Sequence, residues 1–243
     1  YYDSGALIGA IRHKSFIPWD DDIDVAFTRE EYNRIMALPA EVWGDDFKLV
    51  TSRQLTPGGF LDVVTRLINV RDEVPLKTYD KCGKKLRPEF KDRIGIDFFI
   101  LDNAYDSDFK QKLLRMRLTF VYGLAMGHRD YIDLSEYSGV SKAVVGVLAV
   151  LGKCFSLNYL YNRYDKISTS VKGETGRYFY SNYPINLIGI DVKKEWFRDV
   201  VEVSVDDDMF DAPIDYDNVL RAAYGDYMQL PPVEKQIPDH VLI

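Results

Sequence analysis

Cysteine, histidine and positive charge are all scarce in this chain. There are two Cys, Cys82 and Cys154, and three His in 243 residues. No CxxC occurs and no His stands at ligand spacing from either Cys, which argues against a structural zinc site or a disulfide framework. No Asn-x-Ser/Thr acceptor occurs either. Both absences fit a reducing cytoplasm. Lys and Arg number 31 against 38 Asp and Glu, a formal charge of -7. A protein that grips nucleic acid over a long surface carries a basic excess, so no nucleic-acid partner is expected. Long apolar runs are missing too. The longest, 143–151 between Lys142 and Lys153, is far below the ~20 residues that cross a bilayer. No internal repeat or low-complexity linker is present.

What is abundant is core material. Hydrophobic residues make up 47% and aromatics 14%, with 17 Tyr, enough for one large domain or a domain with a helical extension. The chain opens Tyr1-Tyr2-Asp3-Ser4-Gly5 without an initiator Met. It reads as if it starts inside a strand, so native residues upstream are expected.

Residues 5–11 suit a short helix or strand-to-helix turn, and 22–27 suit a strand entering a core. Thr28 and Glu31 predict a capping box ahead of a helix over 29–38. Residues 46–52 and 61–70 read as strands around a Pro57-Gly58-Gly59 turn. The charged stretch 71–93 reads as a loop insertion. Residues 94–101 form the clearest strand. Beyond it, long helices are predicted over 107–127 and 140–168, then short strand or loop pieces over 191–230 with a helix near 215–225. The whole is an α+β pattern, with a mixed-sheet core over 1–105 and a mostly helical extension over 106–243 packed on it.

The segment Trp19-Asp20-Asp21-Asp22-Ile23-Asp24 carries the most information. Side chains two apart in a strand share a face, so Asp22 and Asp24 project together. Two such carboxylates repel unless a cation sits between them. Aspartate is also a poor strand former, and local costs of this kind fall at functional sites. Carboxylates select hard cations, Mg²⁺ or Mn²⁺, the ions of phosphoryl transfer. The alternative is a solvated acidic turn. Asp97 stands alone in an apolar strand, where an isolated carboxylate is costly unless paired or metal-bound. It could complete a metal site, serve as base, or simply be a partnered structural Asp. Arg66 needs a partner in its own apolar strand, and a phosphate, Asp97 or a structural ion pair would each serve.

Three stretches together resemble the LicD family. They are Ser4-Gly5-Ala6-Leu7-Ile8-Gly9-Ala10-Ile11-Arg12-His13-Lys14 running on to Asp24, Gly95-Ile96-Asp97-Phe98-Phe99-Ile100-Leu101-Asp102, and Tyr224-Gly225-Asp226-Tyr227-Met228 with Leu230-Pro231-Pro232. The resemblance implies a nucleotidyltransferase-like fold. Ser4 and Gly5 would form the small-residue turn, in the reverse of the usual Gly-Ser order, and Asp22, Asp24 and Asp97 the carboxylates. It implies metal-dependent transfer of a phosphorylated alcohol, typically phosphocholine, from a CDP-linked donor to a hydroxyl of a cell-surface glycan such as lipopolysaccharide or teichoic acid. The fukutin-related branch uses CDP-ribitol. Zinc, found in some relatives of that branch, is not carried over, because the cysteines for it are lacking.

On this reading Ser4, Gly5, Arg12 and Arg66 bind donor phosphates. Asp22, Asp24 and Asp97 are catalytic and hold Mg²⁺ or Mn²⁺. The protein would be cytoplasmic, at the inner face of the membrane, facing a lipid-linked acceptor. The apolar helix near 143–151 suits a peripheral membrane contact, although a buried helix is commoner. Tyr161, Tyr164, Tyr178, Tyr180 and Tyr183 crowd together in sequence, but aromatic-rich segments are more often core than a choline cage. Two rivals remain: nucleotidyl transfer from an NTP, and a non-catalytic domain that binds a glycan or a partner.

Overall fold

The computed structural model describes residues 1–20, 22–55, 59–71, 95–129, 131–132, 134–183, 185 and 188–236. The insertion read over 71–93, apart from Arg71, and the Pro57-Gly58 part of the predicted turn lie outside them. The fold is α+β. Helix α1 (Ser4–Ile8) runs into one wide turn, Gly9–His13, and leads to β1 (Ile23–Thr28) and α2 (Arg29–Met36). The predicted capping box is present: the Thr28 amide donates to Glu31 Oε2 at 2.9 Å, and the Thr28 hydroxyl accepts from the Glu31 amide. Strand β2 (Phe47–Thr51), helix α3 (Ser52–Leu55), β3 (Thr65–Asn69) and β4 (Gly95–Asn103) follow. The strand read over 61–70 is confined to β3, because Asp62 turns back to accept from the Val64 amide at 2.9 Å.

The later half holds α4 (Asp108–Ala125), α5 (Gly139–Gly152), α6 (Leu157–Ser168), β5 (Arg177–Tyr180), β6 (Asp191–Lys193), the hairpin β7 (Val200–Val205) and β8 (Asp208–Pro213), and α7 (Tyr216–Tyr224). The single helix expected over 140–168 is instead two, α5 and α6, bent by 118°. Ser156 caps α6 by accepting from the Tyr159 amide, so the chain restarts there rather than continuing.

The main sheet is built on β4. Strand β1 pairs parallel to it over Ile96 to Leu101. Along the opposite edge, β3 pairs antiparallel with Gly95 to Phe98 and β5 with Leu101 to Asn103. Strands β2 and β6 extend the sheet outward from β3 and β5. The sheet therefore draws strands from both sides of residue 105. Between β3 and β5 the edge of β4 has no strand, and the buried side chain of Asn182 fills in. Its Oδ1 accepts from the Ile100 amide at 2.7 Å and its Nδ2 donates to the Phe98 carbonyl at 2.8 Å. That satisfies backbone groups which would otherwise be buried unpaired.

Strand alternation sorts the core. Phe99 and Leu101 face a cluster with Ala26, Val64, Tyr180 and Tyr183. Helices α4 and α6 form the larger cluster around Leu114, Leu118, Leu160 and Phe179. A third cluster packs α1 on the β7–β8 hairpin through Leu7, Val203, Val205 and Leu220.

Candidate active site

Register assembles the site. Asp24 lies opposite Asp97 in the parallel β1–β4 pair, and Arg66 lies opposite Asp97 in the antiparallel β3–β4 pair. Three polar residues, distant in sequence, therefore line up across three neighbouring strands. Asp22, two residues before Asp24, falls on the same face. Together with Ser4 they line a cavity of about 330 Å³, within the range of small-molecule sites. Its remaining wall includes Asp62, Phe99, Tyr122, Arg129, Tyr183 and Tyr224.

Arg66 joins two carboxylates, donating from Nε to Asp97 Oδ1 at 2.8 Å and from Nη2 to Asp62 Oδ2 at 2.9 Å. Burial works against its charge, but Asp62 and Asp97 more than offset this and hold it protonated. Its Nη1 is buried without a hydrogen-bond partner among the described residues. Arg66 itself lines the cavity, and a guanidinium charge there favours an anionic ligand such as a phosphate.

The carboxylates are under opposing influences. Burial, then repulsion from Asp22, Asp3, Asp97 and Asp20, pushes Asp24 up to about 9. Burial also raises Asp97, but Arg66 limits it to about 6. Among the described residues no three His, Cys, Asp or Glu side chains are spaced to hold a metal ion. The fit to Mg²⁺ rests instead on Asp22 and Asp24 as a pair whose repulsion a cation relieves, with substrate phosphates and water completing the shell.

From the cavity wall a hydroxyl network runs inward to Asp3, a buried carboxyl that the sequence reading missed. Asp3, 3% exposed, accepts from Tyr180 Oη at 3.0 Å and Tyr183 Oη at 3.1 Å. Burial lifts its carboxyl to about 6. Ser4 Oγ bonds to Tyr183 Oη, and Tyr224 bonds to both. Ser4 has φ 49°, in the left-handed region, a strained geometry that tends to occur at functional sites.

Two predicted residues fall elsewhere. Gly5 is not on the cavity wall; a Cβ there would lie 2.1 Å from Asp20 Oδ2, so glycine is needed to admit the Asp20 carboxylate. Arg12 donates to the Tyr227 carbonyl at 2.6 Å and to His13 Nε2 at 3.0 Å, fastening the segment after α7. Asp62, Tyr122, Arg129 and Asn182 were absent from the sequence-derived set. Only the spacing of Asp62 from Arg66, four residues, could have suggested any of them.

The family model described as LicD/FKTN/FKRP, nucleotidyltransferase domain, matches residues 1–64, which contain Ser4, Asp22 and Asp24. The lipopolysaccharide cholinephosphotransferase LicD of Haemophilus influenzae is 28% identical over 250 aligned residues, covering 98% of this chain and 84% of the relative. No solved structure matches. The alignment thus runs through β4 and α7 as well as the matched N-terminal part, and the chain is similar to this LicD protein over nearly its whole length.

Proposed function

We propose that this protein transfers a phosphorylated alcohol, phosphocholine or a close analogue, from a CDP-linked donor to a hydroxyl of a cell-surface glycan. The carrying observation is that one cavity combines Asp22, Asp24 and Asp97, the guanidinium of Arg66, and an aromatic wall of Phe99, Tyr122, Tyr183 and Tyr224. Carboxylates with a phosphate-seeking guanidinium suit a diphosphate donor. Aromatic faces suit a quaternary ammonium. The cholinephosphotransferase named above supports the same reading.

In the reaction, the positive charge of Arg66 on the cavity wall attracts the donor phosphates. Asp22 and Asp24 would hold Mg²⁺ or Mn²⁺, which when bound offsets the charge of the phosphates. The acceptor hydroxyl attacks the phosphorus next to the alcohol. The anhydride bond to the other phosphorus breaks, and CMP leaves. Asp97 takes the hydroxyl proton; a carboxyl near 6 is a stronger base than an ordinary aspartate near 3.8. Such a protein would work in the cytoplasm at the inner face of the membrane, where a lipid-linked glycan is presented.

The test is CMP release from CDP-choline, CDP-ribitol and CDP-glycerol with Mg²⁺, Mn²⁺ or EDTA and a lipopolysaccharide acceptor. Metal-dependent CMP release, lost at least ~100-fold in Asp22→Asn and Asp97→Asn, is expected. Pyrophosphate release from an NTP would replace this reading with nucleotidyl transfer. Full turnover in both variants would end the proposed mechanism.

A further inference from the structure

Helix α5 has the wrong surface for a helix in water. Of its 14 residues only Ala149 and Gly152 are buried. A water-facing helix surface is normally polar, yet this one carries Val140 (79% exposed), Val144, Val147 (59%), Val150 (68%) and Leu151. Its only polar side chains are Ser141 and Lys142. At the corner with α6 the apolar stripe meets Phe155 and Tyr159, both exposed, with rings stacked 5.7 Å apart. Helix α4 exposes an apolar row of its own, Phe109, Leu113, Met116 and Phe120, at helical spacing.

The packing explains how α5 can be so placed. It meets α4 and the turn that follows it through small residues: a Cβ on Gly152 would lie 1.8 Å from the Leu124 carbonyl oxygen, and one on Gly127, just past α4, 2.1 Å from that of Ala149. Close backbone contact through Gly and Ala is how helices associate in lipid, and it leaves the larger side chains facing outward. Charge adds a second, independent observation. The whole chain is acidic, but residues 108–168 carry nine Lys and Arg against five Asp and Glu. Lys110, Lys112, Arg117, Lys142 and Lys153 are exposed on α4, on α5 and just beyond its end.

From this surface we infer that α5, with the α5–α6 corner, docks on an anionic lipid bilayer. The helix is about 21 Å long at 1.5 Å per residue, too short for a ~30 Å hydrocarbon core, so it lies in the interface and does not cross. The valine stripe enters the acyl boundary, Phe155 and Tyr159 sit at headgroup level, and the basic residues meet lipid phosphates. This surface is separate from the cavity, and its occupancy does not depend on what reaction the cavity performs.

The experiment is co-sedimentation of the full chain with phosphatidylcholine vesicles, with and without anionic phosphatidylglycerol, in the absence of donor or acceptor. Wild type should pellet with the anionic vesicles. The triple variant Val144→Asp, Val147→Asp, Val150→Asp should lower the partition coefficient at least ~10-fold. The pair Lys142→Glu, Lys153→Glu, a surface change that leaves the valines intact, should lower binding to anionic vesicles only. Wild type remaining in the supernatant with both vesicles would overturn the inference. So would equal binding by wild type and the charge-reversal pair, or a concentration-dependent dimer in light scattering with no vesicle binding.

Discussion

Replacing Asp24 by Asn should make the metal-free protein more stable while destroying its function. The Asp24 carboxyl is pushed up to about 9 from an ordinary 3.8, first by burial and then by its acidic neighbours. The folded state therefore binds this proton more tightly than the unfolded state does. The stability that depends on it is complete below about pH 4 and falls as pH rises toward about 9. At pH 7 the interval above 3.8, at about 1.4 kcal/mol per pH unit, sets a ceiling of about 4 kcal/mol on the cost of Asp24. Relaxation and residual water contact reduce this, so Asp24→Asn should gain about 1–3 kcal/mol, or about 3–10 °C in Tm for a chain of this size. The assay is thermal melting from pH 5 to 9 in EDTA. The variant should melt higher and lose most of the decline above pH 6, and added Mg²⁺ should stabilise wild type but not the variant. An Asn variant that melts at or below wild type at pH 8, with a parallel pH profile, would refute the reasoning.

The other predictions concern the supports of the cavity. Arg66→Met leaves Asp62 and Asp97 facing each other without their shared cation, and urea unfolding should register a loss of about 2–4 kcal/mol that Arg66→Lys partly recovers. Asn182→Ala strips the Ile100 amide and the Phe98 carbonyl of their partner; a loss of about 2–4 kcal/mol is expected, with faster amide exchange at Ile100. Gly152→Ala drives a methyl into the Leu124 carbonyl, so it should cost at least ~2 kcal/mol in chemical unfolding despite the better helix propensity of Ala. If an aromatic wall receives the alcohol, Tyr122→Ala should raise KM for CDP-choline about 5-fold or more while changing that for CDP-glycerol little.

Local chemistry made several elements legible in advance. The capping box at Thr28 and Glu31, the strand around Asp97 and the acidic entry to β1 depend on neighbours within a few residues, and the residue string contains those neighbours. Arg66 and Asp97 were nameable because polar groups in apolar strands stand out against their surroundings, Asp22 and Asp24 because their spacing puts two carboxylates on one face, and Ser4 only through the resemblance of its motif. What the string does not contain is register. Nothing local says that Asp24 and Arg66 flank Asp97 from opposite sides of β4, or that Asn182, more than eighty residues downstream, closes the gap between β3 and β5. The break between α5 and α6 was hidden because both halves are apolar at helical spacing. Arg12 and Gly5 stand in the matching motif, yet one reaches Tyr227 and the other makes room for Asp20. Residue type and short spacing determined which groups here are costly to bury. Strand pairing over long separations decided which of them share a cavity, because a one-residue change of register would turn each carboxylate to the other face of the sheet.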